Sequence, residues 1–264
     1  MSASCDALRV EKVARRFQGR RPGAPEFTAV QDLTFHVADS EFVSIVGPSG
    51  CGKSTVLNLV AGLDRPTEGT VSLHGTEVLG PSSNVGFMLQ KDMLLPWRTV
   101  LENVEFGLEA RELSKAERRE RALRELKRCR ITEFADRYPY QISGGQRQRA
   151  ALARTLAINP NVILLDEPFS ALDAQTKLIL QKSFAQTIAG SKLTTLLITH
   201  DLSEAVAMSD RILVMSQSPG RIVEEINVRL PDRENPIERI ASPRASELVG
   251  HLFHALHMED RLDA

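Results

Sequence analysis

The sequence "GPSGCGKST", residues 47–55, decides the fold of this chain. It matches the pattern G-x-x-x-x-G-K-[S/T] at every fixed position, follows the strand-like EFVSIV and begins the helix-like KSTVLNLVAGL. Glycines allow backbone N–H groups to turn inward around phosphate oxygens, and the helix directs its positive end at them. Lys53 is then predicted to reach the β- and γ-phosphates, and Ser54 to offer its hydroxyl to Mg²⁺. The alternative, a glycine turn without a ligand, leaves the preceding strand and the following helix unexplained.

The whole loop is predicted to bind nucleotide. Its residues are Gly47, Pro48, Ser49, Gly50, Cys51, Gly52, Lys53, Ser54 and Thr55. Cys51 occupies a variable position of the pattern, and an oxidant or alkylating reagent could block the site through it.

Two adjacent carboxylates follow a second apolar strand, in "VILLDEP" at residues 162–168. The strand ends at Asp166, at the carboxyl edge of a sheet where ligands bind, so Asp166 is predicted to hold Mg²⁺, usually through water. Glu167 is expected to point elsewhere because neighbouring strand residues alternate. A carboxylate one residue beyond a metal ligand can accept a proton from an attacking water.

His200 ends a further apolar strand, "TTLLITH" at residues 194–200. The same sheet edge would place it beside the phosphates, so we predict a contact with the γ-phosphate. The alternative for a single histidine is a capping or core position.

A second glycine loop, "QISGGQRQRA" at residues 141–150, also precedes a predicted helix, which runs to residue 158. It contains no lysine in its glycine turn and no metal ligand beside it. Such a loop can still offer N–H groups and a positive helix end to an anion. We interpret it as a half-site that completes the nucleotide site of another copy of the chain.

Composition sets the class of protein. The 264 residues are 42% hydrophobic and 25% charged, with a net charge of −1, which gives no indication of nucleic-acid binding. Three widely spaced cysteines predict neither a disulfide framework nor a zinc site, and favour a reducing cytosol. The N-terminal residues lack the apolar core of a signal peptide, and the sequence contains no apolar run of about 18 residues, so direct membrane insertion is not expected.

Two further segments carry open alternatives. The helix predicted over residues 114–130 starts with a Ser114–Glu117 capping box and has a net charge of +5; it is either a solvated face or a contact for lipid headgroups or an acidic partner. Near the C-terminus, His251, His254 and His257 are either polar helix positions or a metal site.

These motifs, in this order, resemble those of the ATP-binding-cassette (ABC) ATPases. The resemblance covers residues 8–228 and includes the loop at 47–55, Gln90, SGGQ at 143–146, LLDEP at 164–168, SALD at 170–173 and TH at 199–200. Within the family, MLQKDMLLPWRTVLENVEFGLE, LDEPFSALDAQT and SPGRIVEEI look most like importer ATPases for nitrate, aliphatic sulfonates and taurine.

The resemblance implies a role for each matching residue. The implied catalytic residues are Glu167, His200, Gln90 and Lys53, and the implied Mg²⁺ ligands are Ser54, Gln90 and Asp166. The loop implied to act on the other copy's ATP contains Ser143, Gly144, Gly145 and Gln146. Asp173 would lie in a loop at the dimer interface. Phe17 would stack on adenine, although family members often have Tyr there and the insertion-like GRRPGAPEF (19–27) follows it.

The resemblance also implies an architecture and partners. We expect an α/β fold: a P-loop NTPase core with a mostly parallel sheet, an N-terminal antiparallel β subdomain and an inserted helical subdomain. The ATPase domain would span residues 1–230, with the helical subdomain at about 91–158, and a helical tail would span 231–264. Expected ligands are ATP and Mg²⁺, and expected partners are a second copy, a membrane permease and, indirectly, a solute-binding protein. The protein would lie on the cytoplasmic face of the inner membrane.

The permease is expected to dock on the helical subdomain near Leu95, Pro96 and Trp97, the alternative for Trp97 being core packing. Three other functions share most of the motifs. They are an ABC ATPase that works without a permease, one that drives export or lipoprotein release, and a nucleotide-binding regulatory module. Intact Glu167 and His200 disfavour the last, and the absence of a paired cassette or a long coiled-coil insertion disfavours the first.

Overall fold

The computed structural model describes residues 6–19, 25–170, 172–191 and 193–259, the last range without the side chains of 257–259. The strands are β1 (Asp6–Phe17), β2 (Phe27–Ala38), β3 (Phe42–Val46), β4 (Glu68–Leu73), β5 (Thr76–Glu77), β6 (Val85–Met88), β7 (Val162–Asp166), β8 (Thr194–Ile198), β9 (Arg211–Met215) and β10 (Ile222–Asn227). The helices are α1 (Lys53–Val60), α2 (Val100–Phe106), α3 (Lys115–Arg128), α4 (Gly144–Ala157), α5 (Ala174–Ala189), α6 (Leu202–Met208), α7 (Pro236–Ile240) and α8 (Pro243–Glu259).

The larger sheet has the order β10-β9-β3-β8-β7-β6. Its strands are parallel except for β10, which pairs antiparallel with β9 at one edge. The central strands β3, β8 and β9 are buried along their whole length, as apolar strands covered on both faces must be. The residues after β3, β7 and β8 therefore meet at one edge, and these are the P-loop, Glu167 and His200.

The smaller sheet is antiparallel, with the order β2-β1-β4-β5. The β-rich run at residues 33–47, which looks continuous in the sequence, is divided between the two sheets. β2 ends at Ala38 and β3 begins at Phe42, and Ser40 between them has a φ of 64°. This left-handed turn moves the chain from the antiparallel sheet into the parallel one, which carries the P-loop.

Helix α1 lies in a hydrophobic core shared by the two sheets, where Val56, Leu57, Leu59 and Val60 are buried. A second core joins the parallel sheet to α2, α3, α4 and α5. Its largest side chains include Phe169 and Phe184, whose rings meet edge to face with centroids 5.5 Å apart. Helix α3 buries an apolar stripe in this core: Ala122, Leu126 and Cys129 are each 0% exposed, and Leu123 is partly buried against them.

Capping boxes fix the starts of the helical region. Ser114 accepts a hydrogen bond from the Glu117 N–H, and the Glu117 carboxylate accepts one from the Ser114 N–H at 2.8 Å, as the sequence predicts. Thr99 and Glu102 form the same arrangement at α2. The helix predicted to run to residue 158 is α4, which begins after its cap Ser143 and ends at Ala157. A separate 3-10 turn (Pro139–Gln141) precedes it.

Helix α8 packs on β9 and on α6, where Ala245, Leu248 and Leu252 are buried in a third core, and α7 packs on α5 and α6. Arg239 of α7 donates hydrogen bonds to the carbonyls of Ala207 and Ser209, both at 2.9 Å, and so satisfies the end of α6. Within the ranges described, none of the helices has the length and apolar character needed to cross a membrane.

Candidate functional site

The P-loop, residues 47–55, turns tightly between β3 and α1. Gly50 and Gly52 have φ values of 81° and 99°, which L-residues rarely adopt. A Cβ on Gly52 would also lie 2.6 Å from Val30 Cγ1 and 2.8 Å from the Ala29 carbonyl oxygen. Among the described residues no side chain caps α1, so the first N–H groups of the helix are left to a ligand.

Lys53, the first residue of α1, folds back over the loop. Its ammonium donates hydrogen bonds to the Gly47 carbonyl at 2.8 Å and the Pro48 carbonyl at 2.7 Å, and the residue is only 8% exposed. The loop therefore holds a partly desolvated positive charge at the helix's positive end, which is the electrostatic requirement for binding phosphate.

Cys51 is buried beneath the loop, with Sγ 3.7 Å from Lys53 Nζ. Burial raises the pKa of its thiol, and the Lys53 charge opposes that rise. A Cβ on Gly47 would lie 2.9 Å from this sulfur, so Cys51 helps to shape the loop.

Asp166 ends β7 opposite the P-loop, and Ser54 Oγ lies 3.5 Å from its Oδ1. Burial raises the pKa of Asp166, and the neighbouring charge of Glu167 adds to the rise. A hydroxyl and a half-buried carboxylate supply oxygen ligands, which are the kind that Mg²⁺ prefers. The two residues therefore fit a magnesium ion.

Glu167 lies in a turn and does not continue the strand, so the expected strand alternation does not apply to it. β7 ends at Asp166, and Glu167 has a left-handed φ of 45°, held by its N–H bond to the Ile198 carbonyl of β8 at 2.9 Å. A turn, rather than continued strand, directs the carboxylate. A strained non-glycine residue at a sheet edge is typical of functional sites.

Two other predicted residues, Gln90 and His200, meet at the Glu167 carboxylate. Gln90 Nε2 lies 3.2 Å and His200 Nδ1 3.1 Å from Glu167 Oε2. The His200 side chain is 61% exposed, which contradicts the alternative of a core histidine. One carboxylate thus joins the loop after β6, the end of β7 and the end of β8.

Ser170 is a member of this cluster that was not singled out in the sequence. Its hydroxyl donates to the Glu167 carbonyl at 3.0 Å and accepts from Gln90 Nε2 at 3.3 Å. The only signal was its place at the start of SALD, three residues beyond Glu167.

The glycine loop at residues 143–146 has a different local structure. Ser143 caps α4 by accepting from the Gln146 N–H at 3.3 Å, and Gln146 Oε1 accepts from the Ser143 N–H at 2.8 Å. Ser143 is exposed, and within the described part of the chain neither side chain bonds to the P-loop. The side-chain hydrogen bonds of Ser143 and Gln146 therefore stay within residues 143–146 and do not connect this loop to the P-loop of the same chain.

Gly145 is packed against α5, because a Cβ there would lie 2.9 Å from Thr176 Cγ2. A Cβ on Gly144 would meet nothing closer than 3.7 Å. Ile142, which precedes the loop, is 6% exposed and anchors it in the core shared by α2–α5.

The segment after Gln90 is attached to α4. Gln148 Nε2 donates to the Gln90 carbonyl at 3.4 Å, and Arg147 pairs with Asp92 at 3.0 Å. Arg154 donates to the Asp92 and Met93 carbonyls at 2.6 and 2.7 Å. The helix that begins at Ser143 and the residue that contacts Glu167 are therefore mechanically linked.

The remaining predicted residues lie outside this cluster. Asp173 is exposed and caps α5, accepting from the Thr176 N–H at 3.0 Å, a bond that lowers the pKa of its carboxyl. Phe17 ends β1 with Arg15 stacked 4.5 Å from its ring centroid. Residues 20–24 of the predicted insertion and Ala171 of SALD lie outside the described residues.

Trp97 is 70% exposed, so the alternative of core packing is wrong. Met93 and Phe106 are also exposed, by 58% and 45%. The histidines of α8 do not form a described metal site: His251 pairs with Glu224 at 2.7 Å, and the residues described contain no group of three metal-ligating side chains. The side chain of His257 is outside the described set.

Comparisons with known proteins show the family of the chain. A family model described as ABC transporter matches residues 30–170. An uncharacterised ABC transporter ATP-binding protein of Methanocaldococcus jannaschii is 46% identical over 88% of this chain and 85% of its own length. The nitrate import ATP-binding protein NrtD of Synechocystis is 42% identical over 88% and 86% of the two chains. The taurine import ATP-binding protein TauB of Yersinia pestis is 43% identical over 85% and 91%.

The fold is also similar to a solved ATP-binding cassette in a dimeric post-hydrolysis state bound to ADP and Pi. The TM-score is 0.72 at 34% identity, covering 84% of this chain and 99% of that one. These likenesses confirm the predicted α/β cassette fold with its parallel sheet, antiparallel β subdomain and helical insertion.

Proposed function

Because this chain belongs to the ABC transporter family and is an ATP-hydrolysing subunit, we propose that it drives import through a membrane permease as a head-to-tail homodimer. The observation that carries the catalytic part is the carboxylate of Glu167, which contacts both Gln90 and His200 one residue beyond Asp166. The importer part is supported by the likeness to nitrate and taurine import proteins.

Glu167 would act as the general base. Its carboxylate would accept a proton from water as that water attacks the γ-phosphate in line with the leaving ADP. Gln90 would orient the water through its amide, and His200, now bonded to Glu167, would turn to the γ-phosphate. Lys53 would exchange the carbonyls of Gly47 and Pro48 for phosphate oxygens and stabilise the charge of the transition state.

Ser54, Asp166 and Gln90 would hold Mg²⁺, which supplies charge neutralisation at the β- and γ-phosphate oxygens when it is bound. Ser54 Oγ already lies 3.5 Å from Asp166 Oδ1, and Gln90 contacts the residue after Asp166, Glu167. Phe17 would lie against the adenine, at the end of β1.

The dimer would complete each site. Ser143 and Gly145 of one copy would face the ATP on the other copy's P-loop, and Gly144 and Gln146 would support that loop. Asp173 would lie where the two copies meet. Exposure of Ser143 and Asp173 supports this arrangement, as does the dimeric state of a similar cassette.

The permease would dock beside Gln90. Met93, Trp97 and Phe106 are exposed apolar side chains between Gln90 and the end of α2, and Arg154 of α4 bonds to the Met93 carbonyl. Aromatic and Met side chains are enriched at protein interfaces. This docking would place the chain on the cytoplasmic face of the membrane. Nitrate, sulfonate and taurine are the candidate solutes, a solute-binding protein would act indirectly through the permease, and export remains the alternative function.

The test is Glu167→Gln in the purified chain supplied with ATP and Mg²⁺. Phosphate release should fall by at least about a hundredfold while an ATP-bound dimer accumulates on a sizing column. Undiminished hydrolysis would exclude Glu167 as the base. ATP hydrolysis measured with and without a reconstituted permease tests the transport role: stimulation by the permease is expected, and indifference to it would favour a permease-independent ATPase.

A further inference from the structure

Three charged side chains join α5 to α6 outside the catalytic cluster. Lys177 Nζ lies 2.8 Å from Asp201 Oδ2 and 2.8 Å from Glu204 Oε2. The side chains of Lys177, Glu204 and Asp201 are 19%, 2% and 37% exposed, so the contact with Glu204 is shielded from water and the contact with Asp201 is partly exposed. None of the three carries a role in the proposed hydrolysis.

Both helices begin at residues of the site. α5 begins at the cap Asp173, and the Lys177 N–H donates to the Asp173 carbonyl at 2.9 Å, within the first turn. α6 begins at the cap Asp201, which directly follows His200. The ion cluster therefore connects the first turn of one helix, which would face the second copy, to the residue beside His200.

Asp201 is fixed through both of its carboxylate oxygens. Oδ1 accepts from the Glu204 N–H at 3.0 Å, and Oδ2 accepts from Lys177. Its own N–H donates to Thr199 Oγ1 at 3.0 Å, on the other side of His200. The backbone of His200, between these two residues, therefore has little freedom to move independently of α5, while its exposed side chain can still turn.

Stability alone does not account for this cluster. Buried ion pairs generally contribute about as much to stability as well-packed apolar side chains of the same size. Burial also raises the pKa of Glu204, the Lys177 charge opposing the rise. The charge of Lys177 provides a directed ion pair between the first turn of α5 and the N-terminal cap of α6.

We propose that Lys177 is a positioning residue. Through Asp201 it keeps His200 at its contact with Glu167, and it couples that contact to the position of the loop that ends at Asp173, the Asp173 loop. The inference rests on the proposed function and assigns a control element to the same site. Movement of the Asp173 loop when a second copy docks shifts the first turn of α5. Lys177 carries that shift to Asp201, and thus to the 3.1 Å contact between His200 and Glu167.

The test compares Lys177→Met, which keeps the length and removes the charge, with Lys177→Arg, which keeps the charge. Steady-state hydrolysis gives kcat and KM for ATP, equilibrium titration gives the Kd, and thermal melting reports folding. Lys177→Met should lower kcat about tenfold or more, since small misplacements of catalytic groups have effects of this size. KM and Kd for ATP should change by no more than about twofold, because P-loop contacts are retained. Lys177→Arg should restore most of kcat.

The matched control is Lys182→Met on the same helix, whose ammonium takes part in none of the ion pairs found among the described residues. It should leave kcat unchanged. If Lys177→Met folds poorly because Glu204 is left unpaired, the double variant Lys177→Met/Glu204→Gln removes both charges and should fold but stay slow.

Wild-type kcat in a folded Lys177→Met chain, or in the double variant, would overturn the positioning role. A fall in kcat that Lys177→Arg does not restore would also contradict it. Absence of hydrolysis by the unmodified chain would instead reject the proposed function, so the two failures are distinguishable.

Discussion

The chain contains two glycine loops that each precede a helix, and they differ in how they satisfy that helix's first N–H groups. At the P-loop, α1 starts without a side-chain cap in the described structure, and Lys53 and Asp166 bring opposite charges to its end. At residues 143–146, the Ser143–Gln146 capping box satisfies the Gln146 N–H at the start of α4, and Ser143 is exposed.

This difference is the one expected between a complete phosphate site and the half-site that we propose. The P-loop has an uncapped helix start, a desolvated ammonium and a metal-fitting carboxylate, which together favour an anion. The second loop has a capped helix start, and the guanidinium beside it, that of Arg147, is already paired with Asp92 and the Ile142 carbonyl. It can add hydrogen-bond donors to a phosphate only when another molecule brings that phosphate to it.

The largest effect should come from disabling each loop in turn. Lys53→Ala should abolish ATP binding and hydrolysis together, because the charge that holds the phosphates is lost. Ser143→Arg should leave ATP binding nearly intact in the isolated chain but lower hydrolysis by about a hundredfold or more, since donors to a transition-state oxyanion have effects of this order. Titration with a fluorescent ATP analogue and a phosphate-release assay measure the two quantities.

The control is Ser246→Arg, the same substitution at an exposed position of α8. It should change neither quantity. Normal hydrolysis by Ser143→Arg would show that the loop takes no part in the reaction, and loss of ATP binding would show that it belongs to the same chain's site.

A smaller effect should distinguish the two glycines of the second loop. Alanine at Gly145 would meet Thr176 Cγ2 at 2.9 Å, so the gain in helix propensity should be outweighed by overpacking of about 1–3 kcal/mol. Alanine at Gly144 has room and should be neutral or stabilising by up to about 1 kcal/mol. Thermal melting of the two variants should therefore separate them by a few degrees. Equal melting temperatures would contradict the packing of Gly145 on α5.

The smallest effect concerns the two described cysteines, Cys51 in the P-loop and Cys129 at the end of α3. Alkylation requires the thiolate, so a raised pKa slows it at any pH below that pKa. Burial raises the pKa of Cys129 to about 12, whereas Lys53 opposes the rise at Cys51. At pH 8 iodoacetamide should modify Cys51 slowly and Cys129 more slowly still, and both faster in denaturant, as followed by peptide mass spectrometry. Faster native labelling of Cys129 than of Cys51 would contradict these environments.

Local motifs were the predictable part of this molecule. Residues 47–55, Asp166, Glu167 and His200 are set by strand ends in a parallel sheet, so pattern and spacing were enough to bring them together. The division of residues 33–47 between two sheets was not predictable, because it depends on a single left-handed residue, Ser40. The turn at Glu167 was missed for the same reason.

Contacts between distant segments were also beyond the sequence. The links from Arg147 to Asp92 and from Lys177 to Asp201 join side chains on elements whose relative placement only the folded core determines. The exposure of Trp97 likewise depends on how α2–α4 pack, and the sequence left it open between interface and core.

Mixing two inactive variants tests the half-site most directly. In a head-to-tail dimer of Lys53→Ala with Ser143→Arg, one site combines two damaged loops, and the other combines the intact P-loop of one copy with the intact glycine loop of its partner. Hydrolysis should therefore reappear on mixing, at up to about a quarter of the wild-type rate if subunits exchange freely and each site works independently. A mixture no more active than the two variants measured separately would contradict the claim that each loop serves the other copy's ATP.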